Sequence, residues 1–149
     1  MRVVVGWIVV KIKKNQNFFP LGGCFFIYIE KGRMRHTEMI VWRSAMDLCT
    51  QVYLVTSKFP GIENFGLTSQ MRRSAVSVPS NIAEGAGRRT HAEYRYFLYV
   101  ASGSLSELET QIFISHNVKY LNQGQRDDLI DQINRIRSIL HGVIRRLTP

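Results

Sequence analysis

Arginine side chains offer the clearest chemistry in this sequence, because they cluster at two places. Three arginines fall within residues 88–95, and four more fall within residues 135–146. A guanidinium carries a planar fork of N–H donors that matches a phosphate group, so such clusters suit the backbone of RNA or DNA. The candidate nucleic-acid-binding residues are therefore Arg88, Arg89, Arg95, Arg135, Arg137, Arg145, Arg146 and Lys119. The sequence alone leaves open the alternative that these are ordinary solvated charges.

The overall charge also favours a polyanionic partner. The 149 residues include 20 Lys and Arg against 11 Asp and Glu, a net charge of +9 at pH 7. Much of this excess lies in residues 1–33, and the rest of the chain has a milder basic bias. The aromatic residues among the arginines are Tyr94, Tyr96 and Tyr99, the first of which fits a helix core, so base stacking is only weakly indicated.

Residues that could support catalysis or bind a metal are scattered along the chain. The four histidines stand singly, and the carboxylate near His91, Glu93, is explained by a helix cap. No glycine-rich phosphate loop follows a strand. Cys24 and Cys49 occur without a second pair, which argues against a disulfide framework or a zinc site and favours a reduced cytoplasm. We therefore expect a protein that is not an enzyme and that has no metal and no cofactor.

A second set of polar residues surrounds Pro79. Asn81 and Glu84 follow it. Two arginines precede these residues in the sequence, at positions 72 and 73, and two follow them, at positions 88 and 89. One interpretation is a network of hydrogen-bonded charge pairs, buried or at a subunit boundary, that holds a helix kink; the other is an active site. We favour the structural interpretation, because no nucleophile or metal ligand joins these residues. The structural motif comprises Arg72, Arg73, Pro79, Asn81, Glu84 and Gly85.

Apolar residues spaced three and four apart predict four helices, and two of them precede residue 88. The first begins near Glu38, with Cys49 as a small buried hydrophobe and Tyr53 on the same apolar face. The second contains Pro79, which lacks an N–H donor and clashes with the preceding turn, so we predict a kink there, with nearby serine hydroxyls bonding the freed backbone groups. Gly85 and Gly87 are predicted to end this helix.

The other two helices follow short connections. Thr90–Glu93 reads as a capping box that begins the third helix, and Asn122–Gln125 is predicted to end it. The fourth continues to Leu147, with arginines in its last turn that complement the helix dipole. Four helices of about twenty residues joined by short loops predict an all-α, antiparallel up-down-up-down four-helix bundle with a kinked second helix.

The third helix is apolar on more than one side. Phe97, Tyr99, Val100 and Phe113 lie away from its main stripe. Residues 102–104 are small and lie mid-helix, where a neighbouring backbone has room to approach. We interpret this distribution as a sign of oligomerisation.

Residues 1–33 differ from the rest of the chain. Their two apolar runs, residues 3–10 and 18–29, are each shorter than the roughly 18 residues that span a bilayer. Residues 30–33 require purine-rich codons, as in a ribosome-binding site, and Met34 follows directly. We therefore expect the natural protein to begin at Met34, with residues 1–33 a wrongly assigned N-terminal extension and 34–149 the bundle. The alternatives are an edge β-hairpin or a membrane-tethering arm.

One stretch is specific enough to indicate a family. Residues 66–85 read GLTSQMRRSAVSVPSNIAEG, and they are followed by Gly87–Arg89, Phe97–Leu98 and GSLSELETQ at residues 103–111. This order of residues closely resembles the 23S rRNA intervening-sequence protein family. The resemblance covers about residues 38–147 and does not reach residues 1–33.

The resemblance implies a four-helix bundle assembled as a pentameric ring. Some similar proteins are encoded within intervening sequences of 23S rRNA genes, and a related group is the accessory protein of diversity-generating retroelements, which binds nucleic acid and a reverse transcriptase. The matched positions are Arg72, Arg73, Pro79, Asn81, Glu84, Gly85, Gly87 and Arg88.

We accordingly expect a cytoplasmic homopentamer, without a membrane segment, that binds RNA or DNA through phosphate contacts with little base specificity. A reverse transcriptase or another protein is a further partner that the resemblance allows. The alternative is a protein-interaction scaffold that does not contact nucleic acid.

Overall fold

The computed structural model describes residues 2–5, 8–11 and 35–148. The chain divides into two compact units, residues 1–32 and residues 33–149. In the first unit, strands β1 (Arg2–Val5) and β2 (Ile8–Lys11) pair antiparallel, with Arg2 opposite Lys11. The two strands span the first apolar run and one basic residue on each side of it, and the second run and Cys24 lie outside the described residues.

The second unit is an all-α four-helix bundle, as predicted. Its helices are α1 (Ile40–Thr56), α2 (Leu67–Ala86), α3 (His91–Asn117) and α4 (Gln123–Arg146). Short 3-10 turns precede α1 at His36–Glu38 and α2 at Gly61–Asn64.

Contacts near the helix ends show how neighbouring helices run. The end of α1 meets the beginning of α2, where Arg72 Nε donates to Thr56 Oγ1 over 2.9 Å. The beginning of α3 meets the end of α4, where Arg95 donates to the Leu147 carbonyl over 3.1 Å. Because α1 packs against both α2 and α4, the four helices close into a bundle. These pairings are compatible with the predicted up-down-up-down order.

The core consists of the predicted apolar stripes. Each helix turns aliphatic side chains inward, and most of them are fully buried. Cys49 is buried among them, which confirms its prediction as a core residue. Tyr53 was wrongly placed on the buried face of α1, since 45% of its surface is exposed. The largest fully buried side chains are Leu48, Met71, Ile82, Leu98, Leu105, Leu108, Ile112, Leu129, Ile133, Ile136 and Leu140.

Helix α2 is bent and contains Pro79, as predicted. Side chains after the proline donate to backbone carbonyls of the preceding turn: Ser80 Oγ to Val76 over 2.8 Å, and Asn81 Nδ2 to Ser77 over 2.8 Å. The Ser77 hydroxyl lies 2.9 Å from Ser104 Oγ of α3. A chain of small polar groups therefore joins α2 to α3 beside the bend.

Helix α2 ends at Ala86 with Gly87 as its C-cap, as predicted for Gly87, whereas Gly85 lies inside the last turn and does not end the helix. The role of Gly85 is close packing. A Cβ atom on Gly85 would lie 2.8 Å from Phe97 Cβ and 2.9 Å from Tyr94 Cδ2, both on α3. Only a residue without a side chain lets the two helices approach this closely.

The connection between α3 and α4 also differs from the prediction. Helix α3 ends at Asn117, and Asn122 and Gln125 form a capping box that begins α4. The turn in between contains Lys119 with φ 68°, in the left-handed region. Its N–H donates to the His116 carbonyl, and the Tyr120 N–H donates to Ser115, the hydrogen bonds of a Schellman motif. The sequence signal was missed because this position usually holds glycine.

Candidate nucleic-acid interface

The fold gathers most of the predicted arginines at one end of the bundle. At this end, α1 and α3 begin and α2 and α4 end. We call it the basic end and define it as the adjoining halves of the four helices, residues 35–47, 77–103 and 135–148. It holds nine Lys and Arg and four Asp and Glu. The opposite halves, residues 48–76 and 104–134, form the mixed-charge end, with five basic and six acidic residues. The net positive charge of the bundle therefore belongs to the basic end.

At the basic end, two neighbouring shallow depressions lie between α3 and α4, and we refer to them together as the α3–α4 groove. Its outer part is lined by side chains that include His91, Arg95 and Arg146. Its inner part is lined by Tyr99, Ser138, His141, Ile144 and Arg145. One arginine of the first predicted cluster, Arg95, and two of the second, Arg145 and Arg146, thus line this groove although they are about fifty residues apart in sequence.

The arginines of this groove differ in their exposure and in whether their side chains are hydrogen-bonded to the protein. Arg95 is half-buried and donates a hydrogen bond to the Leu147 carbonyl. Carbonyl groups at the C-terminal end of a helix lack donors within the helix and lie at the negative pole of its dipole, so a guanidinium is favourable there. Arg145 and Arg146 are exposed and make no side-chain hydrogen bond within residues 35–148. Their guanidinium groups are free to meet an anion.

The corner between α2 and α3 supplies two more of the predicted residues. Arg88 forms an ion pair with Glu84 one turn earlier, and its guanidinium carbon lies 4.7 Å from the centre of the Phe97 ring. Arg89 is exposed and has no hydrogen bond within residues 35–148. Arg88 is therefore partly neutralised, whereas Arg89 presents its full charge to solvent.

The remaining predicted residues lie apart from this cluster. Arg137 is half-buried and forms an ion pair with Glu109 of α3, and it also donates to Asn134 Oδ1. Arg135 is exposed on the outside of α4. Lys119 lies at the mixed-charge end, in the turn before α4.

The structural motif residues are not joined in one network. Arg72 bonds Thr56 and lies over the Tyr53 ring at 4.8 Å, and Arg73 is exposed. Twelve residues of helix, about 18 Å, separate Arg72 from Glu84, which is too far for a direct contact. The motif thus serves three separate tasks: joining α1 to α2, bending α2, and packing α2 on α3.

Shifted pKa values follow from local structure. Hydrogen bonds from the side chain and backbone of Thr90 lower the pKa of the Glu93 carboxyl. Burial raises the pKa of the Cys49 thiol and of the Tyr94 hydroxyl. Burial and the nearby Glu63 carboxylate raise the pKa of Tyr120. Within residues 35–148, no three His, Cys, Asp or Glu residues are grouped to hold a metal ion.

Comparison with known proteins decides the family. The family described as 23S rRNA-intervening sequence protein matches residues 37–142. The chain belongs to this family. The match begins just before α1 and ends within α4, so it takes in the bundle and leaves out residues 1–32, which form the other compact unit.

A solved structure shares the fold. It is the crystal structure of a protein of unknown function from the S23 ribosomal protein family of Bacteroides thetaiotaomicron. The two chains are 18% identical and superpose with a TM-score of 0.64, covering 70% of this chain and 98% of the other. A search of curated proteins finds no match. Among the described helices, none is both long and apolar enough to cross a membrane.

Three residues of the groove were not singled out as binding candidates from the sequence. His91, Ser138 and His141 line it beside the predicted arginines. Ser138, His141 and Arg145 share one face of α4 by their spacing of three and four residues, a signal that the sequence does contain. Which face of α4 meets α3 depends on the packing of the two helices, and helical periodicity does not fix that choice.

Proposed function

We propose that this member of the 23S rRNA-intervening sequence protein family is a non-enzymatic, cytoplasmic protein that binds RNA or DNA through phosphate contacts at its basic end. The observation that carries the proposal is the excess of nine basic over four acidic residues at one end of the bundle. Exposed arginines there, Arg89, Arg145 and Arg146, suit phosphate oxygens. Phosphates are common to every sequence, so little base specificity is expected.

We further propose that the protein acts as a homo-oligomer, a homopentamer in the family resemblance. The outward side of α3 supports self-association, because exposed residues without charge recur along it at spacings of seven and four. These are Tyr96, Gly103, Thr110 and Ile114. A Cβ placed on Gly103 would meet no other atom within 4 Å, so this face has room for a neighbouring helix. Repeating one basic end around a ring would multiply its phosphate contacts.

The experiment is a binding titration of the full chain against labelled structured RNA and a DNA duplex over a salt series, with its mass in solution recorded alongside. Neutralising several phosphates releases counterions, so the logarithm of the binding constant should fall steeply and linearly with the logarithm of salt concentration. Binding to neither probe at low salt would overturn the proposal, and a monomeric mass would overturn the assembly.

A second candidate function is a protein-interaction scaffold, for a reverse transcriptase or another protein. It is favoured by the loop between α1 and α2, where Ile62 is 85% exposed and Phe65 is 97% exposed. This loop lies at the mixed-charge end, away from the groove. The two candidates separate cleanly, because replacing Ile62 and Phe65 with Ser should weaken a protein complex and leave nucleic-acid affinity unchanged.

A further inference from the structure

The inner part of the groove contains an aromatic ring placed between basic side chains. Tyr99 is 57% exposed and lies one helical turn from Arg95. It lines the same depression as Arg145 of the facing helix. The other two exposed tyrosines of the bundle have partners: Tyr96 packs edge-on against Phe97, and Tyr53 lies under Arg72. Tyr99 has no aromatic or cationic partner of this kind within residues 35–148.

The polar groups around Tyr99 are also unsatisfied by the protein. Ser138 and His141 line the depression, and neither side chain makes a hydrogen bond within residues 35–148. The floor is Ile144, a buried aliphatic side chain. A flat ring seated here would meet an aromatic face, an apolar floor and hydrogen-bonding side chains at its edge.

The chemistry of the groove favours an unpaired base over a duplex. In a duplex, each base is stacked between its neighbours, so its face is not available to the Tyr99 ring. A duplex could therefore meet the exposed arginines with its phosphates but could not stack a base on Tyr99. A single strand exposes the faces of its bases, and aromatic side chains between phosphate-binding arginines are the usual platform for such bases.

An ion pair already described bridges α3 and α4 beyond the inner part of the groove. Arg137 and Glu109 form an ion pair across α3 and α4, beyond Ser138. Tyr99 therefore lies between this ion pair and the arginines of the outer part, Arg95 and Arg146. A strand lying along the groove would place a base at Tyr99 and its phosphates toward Arg145 and these outer arginines.

We propose that the α3–α4 groove binds single-stranded nucleic acid, with a base stacked on Tyr99 and the flanking phosphates on Arg145 and Arg146. This inference rests on the proposed function and deepens it, since it names the form of nucleic acid that the basic end prefers. RNA and DNA share the chemistry of an unpaired base and a phosphate backbone.

The test compares four labelled probes of about ten nucleotides with the full chain: oligo-U, oligo-dT, an abasic strand with the same phosphates, and a duplex. The oligo-U and oligo-dT arms distinguish RNA from DNA. Stacking of one base predicts about 5- to 150-fold tighter binding of the base-bearing strands than of the abasic strand. The Tyr99→Leu variant should lose this ratio and keep the salt dependence, because its phosphate contacts remain.

Two further variants make the result specific. Tyr99→Phe keeps an aromatic face and should retain the preference for base-bearing strands. Phe113→Leu removes another exposed aromatic ring of α3 outside the groove and should leave the preference unchanged. Since both positions are exposed, the helical circular dichroism of all variants should match that of the wild type.

The outcomes separate this inference from the function on which it rests. Equal binding of abasic and base-bearing strands, with no effect of Tyr99→Leu, would overturn the stacking proposal while leaving phosphate binding in place. Binding of none of the four probes at low salt would overturn the proposed function itself.

Discussion

Glu63 and Arg89 illustrate how the two ends of the bundle differ. At the mixed-charge end, Glu63 accepts hydrogen bonds from the Leu67 N–H at the start of α2 and from the Tyr120 hydroxyl, so one carboxylate ties two loops together. At the basic end, Arg89 is exposed, without a hydrogen bond within residues 35–148. Acidic residues outnumber basic ones by six to five at the first end and are outnumbered by nine to four at the second.

The difference indicates which charged residues are candidates for function in a bundle with few reactive groups. Charges that bond neighbouring backbone and hydroxyl groups are explained by folding, as Glu63 is. Exposed arginines that face a groove without acidic partners are not explained by folding, and they raise the local concentration of a polyanion. We therefore propose that the exposed arginines of the basic end serve recognition, whereas bonded charges such as Glu63 serve folding.

The largest effect on stability is expected from Gly85→Ala. The added methyl group would lie 2.8 Å from Phe97 Cβ, so α2 and α3 must separate at the basic end. Overpacking of this kind costs about 1–3 kcal/mol. Chemical denaturation measures the change. The control is Gly142→Ala within α4, where nothing lies within 4 Å of the added Cβ and the free energy of unfolding should rise by about 0.5–1 kcal/mol. Equal effects at both glycines would contradict the close approach of α2 and α3.

A smaller, stabilising effect is expected from Lys119→Gly at the mixed-charge end. Lys119 has φ 68°, a conformation that favours glycine. The substitution should raise the free energy of unfolding by about 0.5–1 kcal/mol, because relief of left-handed strain exceeds the added entropy of the unfolded chain. Lys119→Gln removes the same charge and keeps the strain, so it should give no such gain in thermal or chemical denaturation.

The smallest effect distinguishes the two capping boxes. Thr90 and Glu93 cap α3 at the basic end with a carboxyl, whereas Asn122 and Gln125 cap α4 at the mixed-charge end with an amide. The pKa of Glu93 is lowered in the folded protein, chiefly by the Thr90 hydrogen bonds, so its contribution is present above the pKa of the unfolded chain and is lost as pH falls through the folded value.

Denaturation between pH 6 and about pH 3 checks this sign. Stability should fall less steeply with acid in Glu93→Gln than in the wild type. The converse variant, Gln125→Glu, should introduce the same acid sensitivity at the other end of the bundle. A Glu93→Gln variant with an unchanged slope would show that this capping box does not contribute to the acid response.

Much of the bundle could be predicted from the sequence, because local rules determine it. Helical spacing predicts the buried stripes, the Thr90–Glu93 pattern predicts the start of α3, and Pro79 predicts the bend. Each of these depends on residues within about one or two turns of one another. The family resemblance is carried by residues within the same elements.

The site was less predictable, because it depends on how α3 and α4 pack. The sequence does not show that Arg137 pairs with Glu109 or that Arg95 reaches Leu147, since both contacts join residues from different helices. It also does not show that Gly85 is needed for packing, because that requires the distance between α2 and α3. Tyr99 was only weakly indicated, and its position beside Arg145 emerges from the groove.

The most direct test of the account removes three basic residues from each end in turn. One variant changes Arg89, Arg145 and Arg146 to Ala; its matched control changes Lys58, Arg73 and Arg126 to Ala at the mixed-charge end. Both lose the same charge, and residues 1–33 are identical in the two proteins. Binding of a labelled structured RNA is then titrated over a salt series.

If the basic end carries the phosphate contacts, the first variant should bind more than about tenfold more weakly at low salt, and its salt slope should be smaller by about two to three. The control should retain the affinity and slope of the wild type, apart from a small uniform loss from its reduced net charge. Equal losses in the two variants would contradict the account, because they would show that net charge, and not the basic end, determines binding.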